Sequence, residues 1–248
     1  MMDFLRRVIP ATYRPYEILC RLAWRSTGGV VADGPFRGMK YLDTAANSSL
    51  VPKLLGLYER ELSHVIHRLV ASRPQLLVDA GCAEGYYAVG FARRCPALRV
   101  IAFDRDDRAR RLASELARIN GVERQLDTRG TCTTESLQAA LGTDSAVVIC
   151  DVEGFEKTLL DPDKVPALVR AHMLVEVHDA LEPGAGAMLK SRFAVTHRIE
   201  TIAAVPRTAA DCPPFHRLVR LMPRDTITSL IVERPDEAAM YWLYLEPK

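Results

Sequence analysis

The chain has 248 residues, 48% of them hydrophobic and 26% charged, which is an ordinary globular composition for one large α/β domain or two smaller ones. Its 33 basic and 31 acidic residues leave a formal net charge of +2, so no overall field attracts a polyanion and nucleic acid is not expected as a partner. No apolar run reaches the roughly 18 to 20 residues that span a bilayer, so stable membrane insertion is not expected. The six cysteines form no C-x-x-C pair, and reduced thiols of this kind suit the cytoplasm.

Residues 1–50 are predicted to form an N-terminal helical extension or lid, ahead of a main domain over residues 51–248. Residues 1–26 are basic and partly amphipathic, but they lack the continuous apolar stretch and the cleavage site of a secretory signal. We expect the extension to pack on the domain as a cap. Contact with a membrane surface or a partner chain is the alternative.

The main domain alternates between helical and strand patterns. Apolar residues recur at helical spacing from Pro52 to Pro74, which predicts one long helix. Further helices are predicted at 85–94, 106–120, 134–141, 156–171 with breaks, 185–192 and 225–233. Strands are predicted at 75–80, 99–104, 123–128, 146–151, 172–179, 195–204 and 240–247. This alternation predicts a parallel sheet covered on both faces, with the ligand site beyond the carboxyl ends of the strands.

The turn after the first strand, "VDAGCAEGYYAVG" at 78–90, is the first candidate ligand site. The strand ends at Asp79, and Gly81 and Gly85 allow a tight turn and close approach of the backbone to a ligand. The following helix offers free N–H groups. The spacing is G-x-x-x-G, whereas a dinucleotide fingerprint has G-x-G-x-x-G. Taken alone, the turn is also compatible with a plain connection between strand and helix.

The second strand ends in another acid, Asp104, some 20 residues after Gly85. An acid at this place can accept hydrogen bonds from both hydroxyls of a ribose. A strand, a Gly-rich turn with an acid and a second strand that ends in an acid together predict a nucleoside-type site.

Four stretches of the chain resemble the class I S-adenosylmethionine-dependent methyltransferases, and within them the FkbM-type group. They are "VDAGCAEGYYAVGFA", "VIAFDRDDRARRLASELARINGV", "CDVEGFEKTLL" and "LVEVHD", which lie between residues 76 and 179. The chain departs from the group's pattern at Asp104-Arg105, where Glu-Pro is commoner, and at Cys82-Ala83-Glu84, where Ala-Asn-(Ile/Val) is frequent. The resemblance implies a Rossmann-like sheet of seven strands, mostly parallel, with helices on both faces and an antiparallel last strand.

The resemblance also implies S-adenosylmethionine as the cofactor. Asp79, Gly81 and Gly85 would cradle its methionine part and Asp104 its ribose, while the adenine would lie at the turn after strand three. The cofactor-binding residues expected on this basis are Asp79, Gly81, Cys82, Ala83, Gly85, Asp104, Gly130, Thr131 and Asp151.

Three acidic residues, Asp151, Glu153 and Glu156, follow the fourth strand within "VVICDVEGFEKTLLDP", 147–162. In the implied topology, strand five lies beside strand four. Asp151 and Glu153 are two residues apart, so they face the same way if the strand persists, and Glu176 and His178 stand in the same relation on strand five. We therefore expect these four side chains to be catalytic. Glu156 is assigned to the exposed first turn of the next helix.

His178 suits the role of general base for a hydroxyl acceptor, because its unperturbed pKa is about 6.5 and a carboxylate can orient it. The same four residues also offer hard oxygen ligands and one nitrogen, which Mg²⁺ or Mn²⁺ accepts, and a divalent ion would activate a bound hydroxyl. We expect the base rather than the metal.

The predicted function is methylation of a hydroxyl oxygen on a small-molecule acceptor such as a sugar, a polyketide or a lipid-like alcohol. A nicotinamide-dependent oxidoreductase is an alternative that the missing G-x-G-x-x-G disfavours. A non-catalytic S-adenosylmethionine-binding module is a second alternative, disfavoured because a pure binding protein does not need the acids and the histidine of strands four and five.

Overall fold

The computed structural model describes residues 15–46, 48–142, 146–216, 219, 221–233 and 240–248. Its strands are β1 (Leu76–Ala80), β2 (Arg99–Phe103), β3 (Leu126–Arg129), β4 (Val147–Cys150), β5 (His172–Val177), β6 (His197–Ala203) and β7 (Tyr241–Pro247). They form one seven-stranded sheet in the order β3-β2-β1-β4-β5-β7-β6. Strands β1 to β5 pair in parallel, and β7 is antiparallel to both β5 and β6. The expected mostly parallel sheet with an antiparallel last strand is confirmed.

The centre of the sheet sets the position of the site. The strand order reverses between β1 and β4, and ligands of such sheets bind outside the carboxyl ends of the strands at this switch point. Asp79 is paired with Ile149, and Ala80 with Cys150, so the two strands end at the same level. The residues that follow β1, β2 and β4 therefore meet at one edge of the sheet.

Helices cover both faces of this sheet. The α-helices are α1 (Pro15–Ser26), α2 (Leu50–Leu55), α3 (Ser63–Ala71), α4 (Tyr86–Arg94), α5 (Asp107–Asn120), α6 (Thr134–Leu141), α7 (Glu156–Leu159), α8 (Ala185–Phe193) and α9 (Arg224–Ile231). Side chains of β1 alternate between two hydrophobic cores: Leu77 packs with residues of α1 to α5, whereas Leu76 and Val78 pack with residues of α6 to α8. Both faces of β1 are thus buried, which its apolar sequence requires.

The single long helix predicted from Pro52 to Pro74 is wrong. The segment forms α2, a 3₁₀ turn at Arg60–Leu62 and then α3. Gly56 ends α2 in the left-handed conformation with φ 75°, and Glu59 also has a positive φ of 44°. The helical spacing of apolar residues continues across the break because all three pieces pack on the same core, which includes Leu54, Leu62 and Ile66.

The described part of the predicted extension packs on the main domain. Cys20 and Ala23 of α1 belong to the same hydrophobic core as the sheet residue Leu77. Residues 1–14 lie outside the described part of the chain, and the boundary at residue 50 stays a prediction. Within the described residues, no helix has both the length and the apolar character needed to cross a membrane.

Candidate active site

A cavity of about 520 Å³ opens at the carboxyl ends of β1, β2 and β4. Most of the residues expected to bind the cofactor line it, namely Asp79, Gly81, Cys82, Ala83, Asp104, Thr131 and Asp151. Gly85 and Gly130 are described by the structure but do not contribute to its wall. The strand ends and the Gly-rich turn therefore build one cavity of the size that small-molecule ligands occupy.

The Gly-rich turn is shaped by packing as well as by access to the cavity. Gly81 has φ 88°, and a Cβ added there would come within 1.7 Å of the Asp151 carbonyl oxygen. Gly85 has φ 89° and precedes α4, where an added Cβ would lie 3.1 Å from the Cβ of Ala113 on α5. Gly81 thus lets the turn pack against the end of β4, and Gly85 lets α4 pack against α5.

Asp104 is oriented by two backbone amides. The Ala83 N–H donates to its Oδ2 at 2.9 Å, and the Asp106 N–H donates to its Oδ1 at 2.8 Å. A carboxylate has about four lone-pair positions, so each oxygen keeps acceptor capacity for a ligand, and Asp104 lines the cavity. The Asp104 carboxylate therefore fits the paired hydroxyls of a ribose.

Asp79 is buried at the end of β1, and its carboxylate accepts a hydrogen bond from the Ala88 N–H at 3.1 Å. Burial, together with the charges of Asp151 and Asp104, raises its pKa to about 7, although the Ala88 hydrogen bond opposes the shift. Both protonation states of Asp79 are thus accessible at neutral pH.

The four residues expected to be catalytic meet around His178. The imidazole Nε2 lies 3.3 Å from Glu153 Oε2, 3.5 Å from Asp151 Oδ1 and 3.8 Å from Glu176 Oε2. The strand does not continue to Glu153 as assumed, because β4 ends at Cys150 and Glu153 has φ 52°. The turn nevertheless brings the Glu153 carboxylate beside that of Asp151.

Glu156 corrects the sequence analysis. It was assigned to an exposed helical turn, yet its side chain is 0% exposed and its Oε1 lies 2.7 Å from His178 Nδ1. The Gly154 N–H donates to the same oxygen at 3.1 Å. The turn at Gly154 thus helps to hold the Glu156 carboxylate against the imidazole. Burial favours the neutral acid, but the hydrogen bonds from His178 and the backbone outweigh it and lower the pKa of Glu156.

The His178 imidazole lies behind the residues that line the cavity. Asp151 and Glu153 line the cavity, whereas His178 and Glu176 are buried behind them. Among the described residues, His178 Nε2 has no hydrogen-bond partner. Burial alone would lower the pKa of His178, but the hydrogen bond with Glu156 and the charges of Asp151 and Glu153 outweigh it and raise that pKa. This arrangement can take up a proton released in the cavity.

The same residues have the donor atoms for a divalent ion. Asp151, Glu153 and His178 each offer one ligand atom, and these atoms lie within 4.8 Å of one another. Because Nδ1 of His178 faces Glu156, Nε2 is the nitrogen that would bind, in the carboxylate–histidine arrangement usual behind metal ligands. Hard oxygens with one imidazole suit Mg²⁺ or Mn²⁺.

The rest of the cavity wall includes residues that the sequence analysis did not single out: Lys53, Tyr58, Tyr86, Tyr87 and Glu233. Burial and the charge of Glu59 raise the pKa of Glu233 to about 8, against the opposing charge of Arg207. Lys53 carried a signal, because it is the single charged residue of the helix "LVPKLL". A lone cation in an apolar helix marks either an exposed edge or a buried partner.

No family model matches the chain, and no curated protein matches it. Several solved structures, in contrast, superpose on the chain. Cofactor-bound Rv0187 from MTB superposes with a TM-score of 0.50 at 12% identity, over 82% of this chain and 89% of that one. A putative O-methyltransferase from Klebsiella pneumoniae gives 0.49 at 12% identity, and the O-methyltransferase TomG from Streptomyces achromogenes in complex with SAM gives 0.47 at 13%; each match covers 99% of this chain and 95% of the other.

The likeness concerns the fold. The strand order and the antiparallel β7 make it a Rossmann-like sheet of seven strands, mostly parallel, with helices on both faces. The FkbM-type grouping stays a prediction.

Proposed function

We propose that the protein is an S-adenosylmethionine-dependent methyltransferase acting on a hydroxyl oxygen of a small molecule such as a sugar, a polyketide or a lipid-like alcohol. The observation that carries the proposal is the continuity of the cavity. One wall holds Asp104, an acid suited to a ribose, and another holds Asp151 and Glu153, backed by His178. A nucleoside cofactor and a group that accepts a proton are thus available to the same bound acceptor.

The residues that would hold the cofactor are Asp104 at the ribose, Asp79 and Gly81 at the methionine part and Thr131 near the adenine. S-adenosylmethionine supplies a methyl group that is already electrophilic on its sulfonium, so the cofactor carries the hard part of the chemistry. The protein's own task is to align the acceptor and to remove its proton.

The proton of the acceptor hydroxyl passes to the cluster around His178. Asp151 and Glu153 face the cavity, and His178 Nε2 lies 3.5 Å and 3.3 Å from their carboxylates, close enough to take up the proton there. Glu156 holds the opposite ring nitrogen and stabilises the imidazolium that results. The raised pKa of His178 strengthens it as a base, as a general base near neutral pH requires.

The competing hypothesis is that this cluster binds a divalent metal ion that activates the acceptor. Treatment with a chelator distinguishes this hypothesis from the general base. A base requires no ion, so EDTA treatment should leave turnover intact, and added Mg²⁺ or Mn²⁺ should not raise it. Loss of turnover on chelation with recovery on adding either ion would instead assign Asp151, Glu153 and His178 as ligands.

Calorimetric titration tests the proposal itself. S-adenosylmethionine and S-adenosylhomocysteine should bind at micromolar concentrations, a binding free energy of about 8 kcal/mol. NADH is the control ligand, since the G-x-x-x-G turn lacks the dinucleotide spacing. Binding of NADH without a response to either sulfur nucleoside would replace the methyltransferase with the oxidoreductase. Cofactor binding that never leads to methyl transfer across hydroxyl acceptors would favour the binding module.

A further inference from the structure

Lys53 is a buried cation in the wall of the cavity. Its side chain is 2% exposed, and its Nζ donates to Glu84 Oε1 at 2.5 Å and to Ser48 Oγ at 2.7 Å. The Tyr58 and Tyr86 rings lie against the ammonium, with centroids at 4.6 Å and 5.6 Å. Such enclosure fixes the position of the charge, because a free lysine side chain would otherwise move among many rotamers.

Glu84 is the buried counter-ion of Lys53. The Glu84 carboxylate is fully buried and also accepts hydrogen bonds from the Tyr41 hydroxyl at 2.6 Å and the Ala46 N–H at 3.0 Å. Burial would favour the neutral acid, but the charge of Lys53 and these hydrogen bonds outweigh it and lower the pKa of Glu84. Lys53 lines the cavity and Glu84 does not, so Lys53 is the member of this ion pair that a ligand can contact.

One donor of the ammonium is available to that ligand. An ammonium has three N–H groups, and two of them are used by Glu84 and Ser48. Over residues 15–46, 48–142, 146–216, 219, 221–233 and 240–248, the third finds no hydrogen-bond acceptor. A buried charged donor without an acceptor is costly, whereas an anion in the cavity would satisfy it with a charge-assisted hydrogen bond.

The Gly-rich turn links this cation to the ribose acid. Ala83 donates its N–H to Asp104, and the next residue, Glu84, holds Lys53. Asp104 and Lys53 are therefore both positioned by this turn, through two consecutive residues. A nucleoside held by Asp104 that carries an anionic tail along the turn would bring this tail to Lys53.

We propose that Lys53 binds the carboxylate of the methionine part of the cofactor and so selects nucleosides that carry this amino-acid tail. The inference rests on the proposed function and goes beyond it by assigning the anchor to a residue of α2, outside the four motif stretches. Glu84 acts as its positioning residue, since it contacts the ammonium and not the ligand.

The affinities for two nucleosides, one with and one without the carboxylate, distinguish the proposed contact with Lys53 from the other contacts in the cavity. S-adenosylhomocysteine carries the amino-acid tail, and 5′-methylthioadenosine lacks it. Lys53→Met should weaken S-adenosylhomocysteine about ten- to a hundredfold, the range for a hydrogen bond to a charged group, and leave 5′-methylthioadenosine within about twofold. Because Lys53→Met leaves Glu84 buried and unpaired, the double variant Lys53→Met/Glu84→Gln is measured beside it, and thermal unfolding verifies that both fold.

Arg105→Met is the matched control, because Arg105 is the exposed cation that lines the cavity next to Asp104. It should not change the ratio of the two affinities. A selective loss of S-adenosylhomocysteine binding in the folded double variant supports the inference. An equal loss for both nucleosides, or no loss for either, overturns it while leaving the proposed function standing. Failure of the wild-type protein to bind either nucleoside would overturn the proposed function, and this inference with it.

Discussion

The two ends of the cavity hold their carboxylates in different ways. At β1 and β2, Asp79 and Asp104 are held by backbone N–H groups of Ala88, Ala83 and Asp106. At β4 and β5, the carboxylates gather around one imidazole that comes from the neighbouring strand. Backbone N–H groups thus orient the acids of β1 and β2, whereas an imidazole side chain gathers those around β4 and β5.

This contrast predicts separable effects of substitution. Changes at the backbone-held acids should weaken cofactor binding or alter stability. Changes around the imidazole should reduce turnover and leave cofactor affinity nearly intact. The following substitutions test that separation.

The largest effect is expected for His178→Ala. Removal of the proton acceptor should lower methyl transfer by about 10² to 10⁴, the usual range for a general base, with nearly unchanged affinity for S-adenosylhomocysteine. Single-turnover kinetics and calorimetry on the same preparation measure the two quantities. Full activity of the variant with a good acceptor would mean that the cluster is structural.

Asp79→Asn should change the pH dependence of stability. The pKa of Asp79 in the folded protein is about 7, above the ordinary 3.8, so the folded state binds the proton more tightly and the free energy of unfolding falls as pH rises between these values. At about 1.4 kcal/mol per pKa unit, the cost is a few kcal/mol once pH exceeds the folded value. Urea unfolding from pH 4 to pH 8 should show this fall in the wild type and a flatter profile in the variant. Identical profiles would contradict the assigned burial of the charge.

Asp104→Ala should weaken cofactor binding by about 1 to 3 kcal/mol, the value of hydrogen bonds to a charged acceptor. Calorimetry with S-adenosylhomocysteine measures the loss. Asp127→Ala serves as the control, because Asp127 lies on the adjacent β3 but pairs with Arg129 on the exposed surface. Equal affinities of the wild type and Asp104→Ala would place the ribose elsewhere.

A smaller effect, on pH dependence, is expected for Glu156→Gln. Loss of the carboxylate that raises the pKa of His178 should lower this pKa, so the acidic limb of the pH–rate profile should move to lower pH. NMR titration of the imidazole gives an independent reading. A shift of either quantity to higher pH would show that Glu156 does not stabilise the imidazolium.

Local patterns predicted most of the fold. The helix at 134–141 was predicted correctly, because Thr133 caps it locally through Ser136. Asp104 was likewise accessible from the sequence, since it follows an apolar strand directly. Glu156 was not, because its burial depends on the turn at Gly154 and on His178, 22 residues further on. Lys53 was missed for a similar reason, since its partner Glu84 is 31 residues away.

A crystal structure with S-adenosylhomocysteine tests the central claim most directly, because it examines both ends of the cavity at once. The account predicts nucleoside density with the ribose hydroxyls at Asp104 and the sulfur on the side of Asp151 and Glu153. Density outside this cavity, or a ribose without contact to Asp104, would contradict it.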